Sequence, residues 1–114
     1  MKRGSYVPDR GDIVWLDFTP QTGHEQRGKR PALILSPKSY NQKTSLCLCL
    51  PITSKVKGYP FEVTLPKDIQ IEGVILSDQV KNLDFIAGKV TFICKAPKSV
   101  VQNVQQNIVA LISE

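Results

Sequence analysis

One histidine, one tryptophan and three cysteines are all that the 114 residues offer of these types, and each scarcity removes a class of chemistry. A lone His24 rules out a two-histidine ribonuclease mechanism within one subunit. Cys47, Cys49 and Cys94 are odd in number, and the first two are separated by a single residue in an apolar alternating stretch. That spacing suits neither a CxxC redox pair nor a zinc knuckle, so all three read as reduced packing thiols. GxSxG, P-loop and HExxH strings are absent, as is any carboxylate cluster of the kind that holds Mg²⁺, so neither a metal nor a cofactor is expected. No apolar run approaches the roughly 20 residues that cross a bilayer. Pro8, Asp9, Arg10 and Asp12 stand where a leader's apolar stretch would follow the basic start. A soluble cytoplasmic protein with no membrane partner is the expectation.

What is present is basic charge, unevenly placed. The net charge is +5; residues 1–57 carry ten basic and four acidic side chains, and residues 58–114 carry five and six. The first half is therefore the part expected to meet something anionic. A chain of this length buries about 65% of its unfolded surface in one core, which predicts a single domain over residues 1–114 with no need of a staple.

Short β-rich runs bounded by Gly, Pro, Asp or Asn predict six strands, at Ile13–Phe18, Ala32–Leu35, Leu46–Ile52, Phe61–Leu65, Val74–Val80 and Val90–Cys94. Six short strands imply a strongly bent sheet or small barrel. The polar string 38–43 is compatible with a helical turn. From Pro97 onward, Val100, Val104, Ile108, Leu111 and Ile112 fall on one helical stripe, which predicts a C-terminal helix closing one side of the core. Its outer face, read as Gln102, Asn103, Gln105, Gln106 and Asn107, is polar but uncharged. Two connections exceed what a hairpin needs: residues 19–29, and the basic, glycine-containing 54–60.

Arg30 precedes Pro31, which forces it into extended backbone and projects its guanidinium from a fixed point. A planar fork of donors suits a phosphate or the charge developing on one, although a solvated strand-end arginine satisfies the same pattern. Along Leu46–Thr53, alternation puts Leu46, Leu48, Leu50 and Ile52 on one face and Cys47, Cys49, Pro51 and Thr53 on the other. The Thr53 hydroxyl is thus offered either to a phosphate oxygen or to the turn that begins at Ser54. His24 and Glu25 lie in the first long connection. Asp78, on the same expected face as Val74, Leu76 and Val80, requires a hydrogen bond or a shifted pKa. Trp15, Tyr40 and Tyr59 supply aromatic faces near basic residues, the combination that single-stranded nucleic acid stacks on.

Tyr6-Val7-Pro8-Asp9, Gly11-Asp12-Ile13-Val14-Trp15, Gly23-His24-Glu25-Gln26, Arg30-Pro31-Ala32, Cys47-Leu48-Cys49 with Pro51 and Thr53, Lys57-Gly58-Tyr59-Pro60-Phe61-Glu62-Val63 and Asp78-Gln79-Val80-Lys81 follow one another in order. Together they resemble the MazF/PemK family of bacterial toxins. The resemblance implies an SH3-like barrel of CcdB/PemK type that forms a homodimer. It implies cleavage of single-stranded RNA, chiefly messenger RNA, at a short motif without metal, leaving a cyclic phosphate or 3′-phosphate and a 5′-hydroxyl. It also implies an acidic, MazE-like antitoxin as partner, with DNA met only through the antitoxin complex. Position by position, the family's arginine falls on Arg30, its threonine on Thr53 and its loop glutamate on Glu25. The histidine and aspartate implicated in PemK-like members fall on His24 and Asp78. Leu76 replaces the arginine those members carry two residues before the aspartate, which favours the MazF-like arrangement. Lys57, Asn41, Gln79 and Lys81 are the candidates for holding bases and backbone, with Lys29, Tyr59 and Trp15 beside them. Two other functions were weighed: a gyrase-poisoning toxin of the same fold, which would use a C-terminal tryptophan that this chain lacks, and a plain RNA-binding barrel.

Overall fold

Strand β3, Leu46–Thr53, is the element around which the chain is arranged. The computed structural model describes residues 5–18 and 28–113. Within them β1 (Asp12–Asp17), β2 (Lys29–Ile34) and β3 form consecutive antiparallel neighbours. The remaining strands are β4 (Glu62–Thr64), β5 (Val74–Leu76), β6 (Lys81–Asp84) and β7 (Thr91–Lys95). The pairing order is β4-β5-β3-β2-β1-β7, with β6 on the first half of β3. Leu46–Cys49 pairs with β6, whereas Ile52 and Thr53 pair with β5. Pro51, which has no N–H to give to a ladder, falls between the two sets of pairs, where a break in pairing leaves nothing unsatisfied.

The alternation expected along β3 is what the structure shows. Leu50 and Ile52 join Ile13, Leu33, Val63, Ile75 and the helical valines in one core cluster. Cys47 and Cys49 join Val14, Leu16, Phe18, Ala32 and Ile34 in a second cluster on the opposite face. Both faces of β1–β3 are therefore covered, which is why these strands contain almost no exposed apolar positions. The three cysteines are free thiols. Its hydrogen bond to Cys47, together with burial, pushes the Cys49 thiol well above its ordinary value, so it stays protonated and packs.

Two expectations need correction. The run Val74–Val80 is not one strand: β5 ends at Leu76, Ser77 and Asp78 make a turn, and a seventh strand follows at Lys81–Asp84. Asp78 accordingly leaves the apolar face and is exposed. The polar string after Pro37 forms α1, Lys38–Thr44, two turns closed by Ser45 at φ 64°. It is anchored by Asn41, which is fully buried: its Nδ2 donates to the Pro8 and Ser36 carbonyls, at 2.8 and 3.1 Å, and its Oδ1 accepts from Ser36 Oγ at 2.6 Å. With every polar atom of its side chain engaged in the interior, Asn41 is a structural residue and not one that meets nucleic acid.

The start of the described chain is held by carboxylates. Tyr6 donates its hydroxyl to Asp12, whose other oxygen lies 2.7 Å from Lys95 Nζ. Burial and that hydrogen bond push the Tyr6 phenol up, so it stays a donor. Asp9 accepts from the amides of Lys38 (2.9 Å) and Arg10 (2.8 Å), and these bonds, that from Lys38 first, hold its carboxyl below the usual carboxylate value. A depressed folded-state pKa adds stability above the unfolded value of about 4 and loses it as the pH falls through the folded value. Wild type is therefore expected to exceed Asp9→Asn in urea stability at neutral pH, with the gap closing below about pH 4. A gap independent of pH would show that the charge contributes nothing.

Helix α2, Lys98–Ser113, begins with the amides of Val100 and Val101 donating to the Pro97 carbonyl. Val100, Val101 and Val104 bury into the first cluster and Ile108 packs against it. The stripe then outruns the sheet, leaving Leu111 exposed and Ile112 78% exposed.

Candidate active site

Three strand pairings decide which side chains meet. Between β2 and β3 the register is Ala32↔Pro51, Leu33↔Leu50 and Ile34↔Cys49. Two residues beyond the last of these pairs stand Arg30 on β2 and Thr53 on β3, and alternation puts them on the face shared by Ala32 and Pro51. Between β3 and β6, Cys49 pairs with Lys81. Arg30, Thr53 and Lys81 therefore share the face that Cys47, Cys49 and Ala32 floor, and Gln79, just before β6, lines a cleft with Thr53. They form a polar rim on the second core cluster, at the point where β3 exchanges one partner strand for another.

Thr53, half-buried at the end of β3, accepts at Oγ1 from the Lys55 amide at 3.1 Å. This fixes the start of the 54–60 connection and leaves the hydroxyl proton free to donate. Farther along the same segment, the Glu62 carboxylate accepts from the amides of Lys57 (3.0 Å) and Gly58 (2.9 Å). The ammonium of Lys57 sits 5.9 Å from the ring centre of Tyr59, over an aromatic face that is itself 60% exposed. Thr53, Lys57, Tyr59, Phe61, Asp78 and Gln79 line one cleft of about 240 Å³.

Two buried polar atoms on this face have no hydrogen-bond partner among the described residues: Arg30 Nε and Gln79 Oε1. One is a donor and the other an acceptor. An unpaired buried polar atom is costly, so each marks a place where a partner from outside the chain improves the balance. A larger groove, about 610 Å³, is apolar and lined by Leu35, Leu48, Ile108 and Val109 among others. Its one charged residue, Arg10, already donates Nε to the Leu35 carbonyl at 2.7 Å. It offers packing, not chemistry.

The structure thus brings Thr53, Lys57, Tyr59, Asp78 and Gln79 into one cleft, with Arg30 and Lys81 on the adjoining rim. It separates Trp15 and Lys29 from them. Arg30 is opposite Leu16, so Trp15 and Asp17 with its partner Lys29 point to the other face of β1–β2. His24 and Glu25 lie outside the described residues. Glu62 was missed by residue pattern alone; a carboxylate shortly after a Lys-Gly turn was the available signal.

The family model of the PemK-like, MazF-like toxins of type II toxin–antitoxin systems matches residues 9–112. The endoribonuclease toxin MazF of Escherichia coli (strain K12) is 56% identical over 78 residues, covering 68% of this chain and 69% of that protein. The endoribonuclease toxin ChpB of the same organism is 36% identical over 109 residues, covering 91% and 93%. Among solved structures, MazF from Deinococcus radiodurans superposes with a TM-score of 0.92 at 47% identity, covering 96% of this chain and all of that one. A MazE–MazF complex from that organism gives 0.86 at 42% identity, covering 96% and 98%.

Proposed function

The chain belongs to the family of PemK-like, MazF-like toxins of type II toxin–antitoxin systems, and from that premise we propose that it is an endoribonuclease that cuts single-stranded RNA at a short motif through the substrate's own 2′-hydroxyl. The observation that carries the reading is the juxtaposition of a phosphate-type donor pair, Arg30 and Thr53, with a cleft whose walls can hold bases, Lys57, Tyr59 and Gln79.

The reaction has three needs. A proton must leave the 2′-hydroxyl, the charge on the non-bridging phosphate oxygens must be held, and the departing 5′-oxygen must receive a proton. The 2′-oxygen forms a bond to phosphorus as the bond to the 5′-oxygen breaks, which leaves a cyclic phosphate and a 5′-hydroxyl. Arg30 serves the second need with a fork of donors whose Nε has no partner among the described residues, and Thr53 adds a hydroxyl donor. An arginine is too weak an acid to serve as a base at neutral pH. Proton transfer falls to Glu25, His24 or water, with Asp78 a carboxylate that lines the cleft beside the amide-bound Glu62. Tyr59 offers a stacking face, while Lys57 and Lys81 hold backbone and Gln79 holds a base edge.

The toxin acts in the cytoplasm as a homodimer on messenger RNA, as one unit over residues 1–114, and is silenced by an acidic antitoxin. No helix among the described residues is long and apolar enough to cross a membrane. The uncovered end of α2 and the apolar groove beside it suit contact with a second copy.

Purified protein incubated with a long unstructured RNA in EDTA is expected to give discrete cuts with 5′-hydroxyl ends. Sequencing those ends would also define the motif. RNA that stays intact, or cuts that require added metal, would overturn the proposal.

A further inference from the structure

Sequence pattern assigns Asn107 to the outer, polar face of α2. In the structure it turns inward. It follows Val100 and Val104 along the inner stripe and is half-buried. Its Nδ2 donates to Ser77 Oγ at 3.1 Å. Ser77 is fully buried and in turn donates its hydroxyl to the Phe61 carbonyl, which also accepts the Ser77 amide at 3.1 Å.

These bonds join three elements at one hydroxyl. Ser77 opens the turn that delivers Asp78 and Gln79 into the cleft, and the Gln79 amide closes that turn on the Leu76 carbonyl at 3.0 Å. Phe61 lines the opposite wall and precedes Glu62, whose carboxylate pins Lys57 and Gly58. Both walls of the cleft are therefore referred to Ser77, and α2 holds Ser77 through Asn107. Gln79 Oε1 is buried and has no partner among the described residues, so the precision of its placement decides what it can accept from.

We propose that Asn107 is a positioning residue of the RNA cleft: through Ser77 it fixes the turn that carries Gln79, making the C-terminal helix part of substrate recognition. This rests on the endoribonuclease reading above. Asn107 touches no substrate. Its effect is on how tightly and how selectively the cleft closes on a base, not on the charge stabilisation supplied by Arg30.

The test uses Asn107→Leu, which keeps the number and branching of side-chain heavy atoms and removes the donor, and Asn107→Gln, which keeps the donor. Asn103→Ala, on the exposed face of the same helix, serves as control. In Asn107→Leu the amide protons of Ser77 and Gln79 are expected to exchange about tenfold faster. KM for a single-site RNA is expected to rise about 5- to 10-fold with kcat within about twofold, and cutting at non-preferred sequences to increase. Asn107→Gln should recover a large part of both, and Ser77→Ala combined with Asn107→Leu should be far from additive. A lowered melting temperature with unchanged KM, cut pattern and exchange at residues 77 and 79 overturns the proposal. Faster exchange in a protein whose wild type does not cut RNA would instead overturn the functional reading and leave the helix–turn coupling standing.

Discussion

Arg30→Lys is expected to lower the rate of the chemical step by about 100-fold or more while leaving KM within a few fold. The reason lies in geometry and not in charge, since both side chains are cationic. Arg30 stands on a strand, paired to Leu16 on one side and two residues beyond the last β2–β3 pair on the other, so its guanidinium leaves the sheet from a fixed direction. A guanidinium can address two phosphate oxygens at once, whereas an ammonium is a point charge on a flexible stem. Lysine restores attraction for the ground-state phosphate and fails to match the two oxygens as charge builds on them, which is why kcat falls and KM does not. Arg30 Nε has no partner to lose among the described residues, so the substitution is expected to move the melting temperature little. Single-turnover cleavage of a short RNA containing one cut site checks this. Near-normal rates in Arg30→Lys would exclude the bidentate role and leave only a need for positive charge.

The reach of sequence reasoning in this protein follows the range over which each interaction acts. The two faces of β3 were legible because alternation is local and both faces are covered, so the Leu50/Ile52 and Cys47/Cys49 sets separate by period alone. Arg30 and Thr53 were each found, one by its proline neighbour and the other by its place at a strand end. Their facing one another is a matter of register across 23 residues, which no local pattern encodes. Asp78 was misplaced because Val74–Val80 has the composition of a continuous strand, and the Ser77–Asp78 turn inside it carries neither glycine nor proline. Asn41 was read as a substrate amide because its partner, the Pro8 carbonyl, is 33 positions away. Asn107 shows the converse: a polar residue on an inner stripe looks like one more outer amide until the buried serine it serves is placed beside it. Family resemblance supplied the roles of Arg30 and Thr53, and the fold supplied the cleft walls that those roles act with.

Gly73→Ala is expected to cost about 3 kcal/mol or more of stability, the largest effect of an added methyl group at any of the described glycines. A Cβ built on Gly73 would lie 2.2 Å from the Thr53 carbonyl oxygen, 2.8 Å from its carbonyl carbon and 3.2 Å from Ser54 Cα. All three are backbone atoms, so no side chain can rotate away, and relief requires moving β5 from β3 or breaking the Thr53↔Val74 pair. Backbone strain adds to this, because Gly73 sits at φ +124°, outside the regions open to alanine. Gly58→Ala separates the two causes: its φ is +81° but nothing lies within 4 Å of the added carbon, so only the conformational cost of about 1–2 kcal/mol should appear. The same approach that makes Gly73 irreplaceable by alanine also sets where Thr53 ends, one residue before the connection that carries Lys57 and Tyr59. Cleavage measured well below the melting temperature should consequently fall in Gly73→Ala by more than the folded fraction explains, since displaced Thr53 no longer faces Arg30. Urea titration gives the first quantity and single-turnover kinetics on the folded protein the second. Equal stability losses in the two glycine variants would show that β5 yields freely, and that Thr53 is placed by β2 and β3 alone.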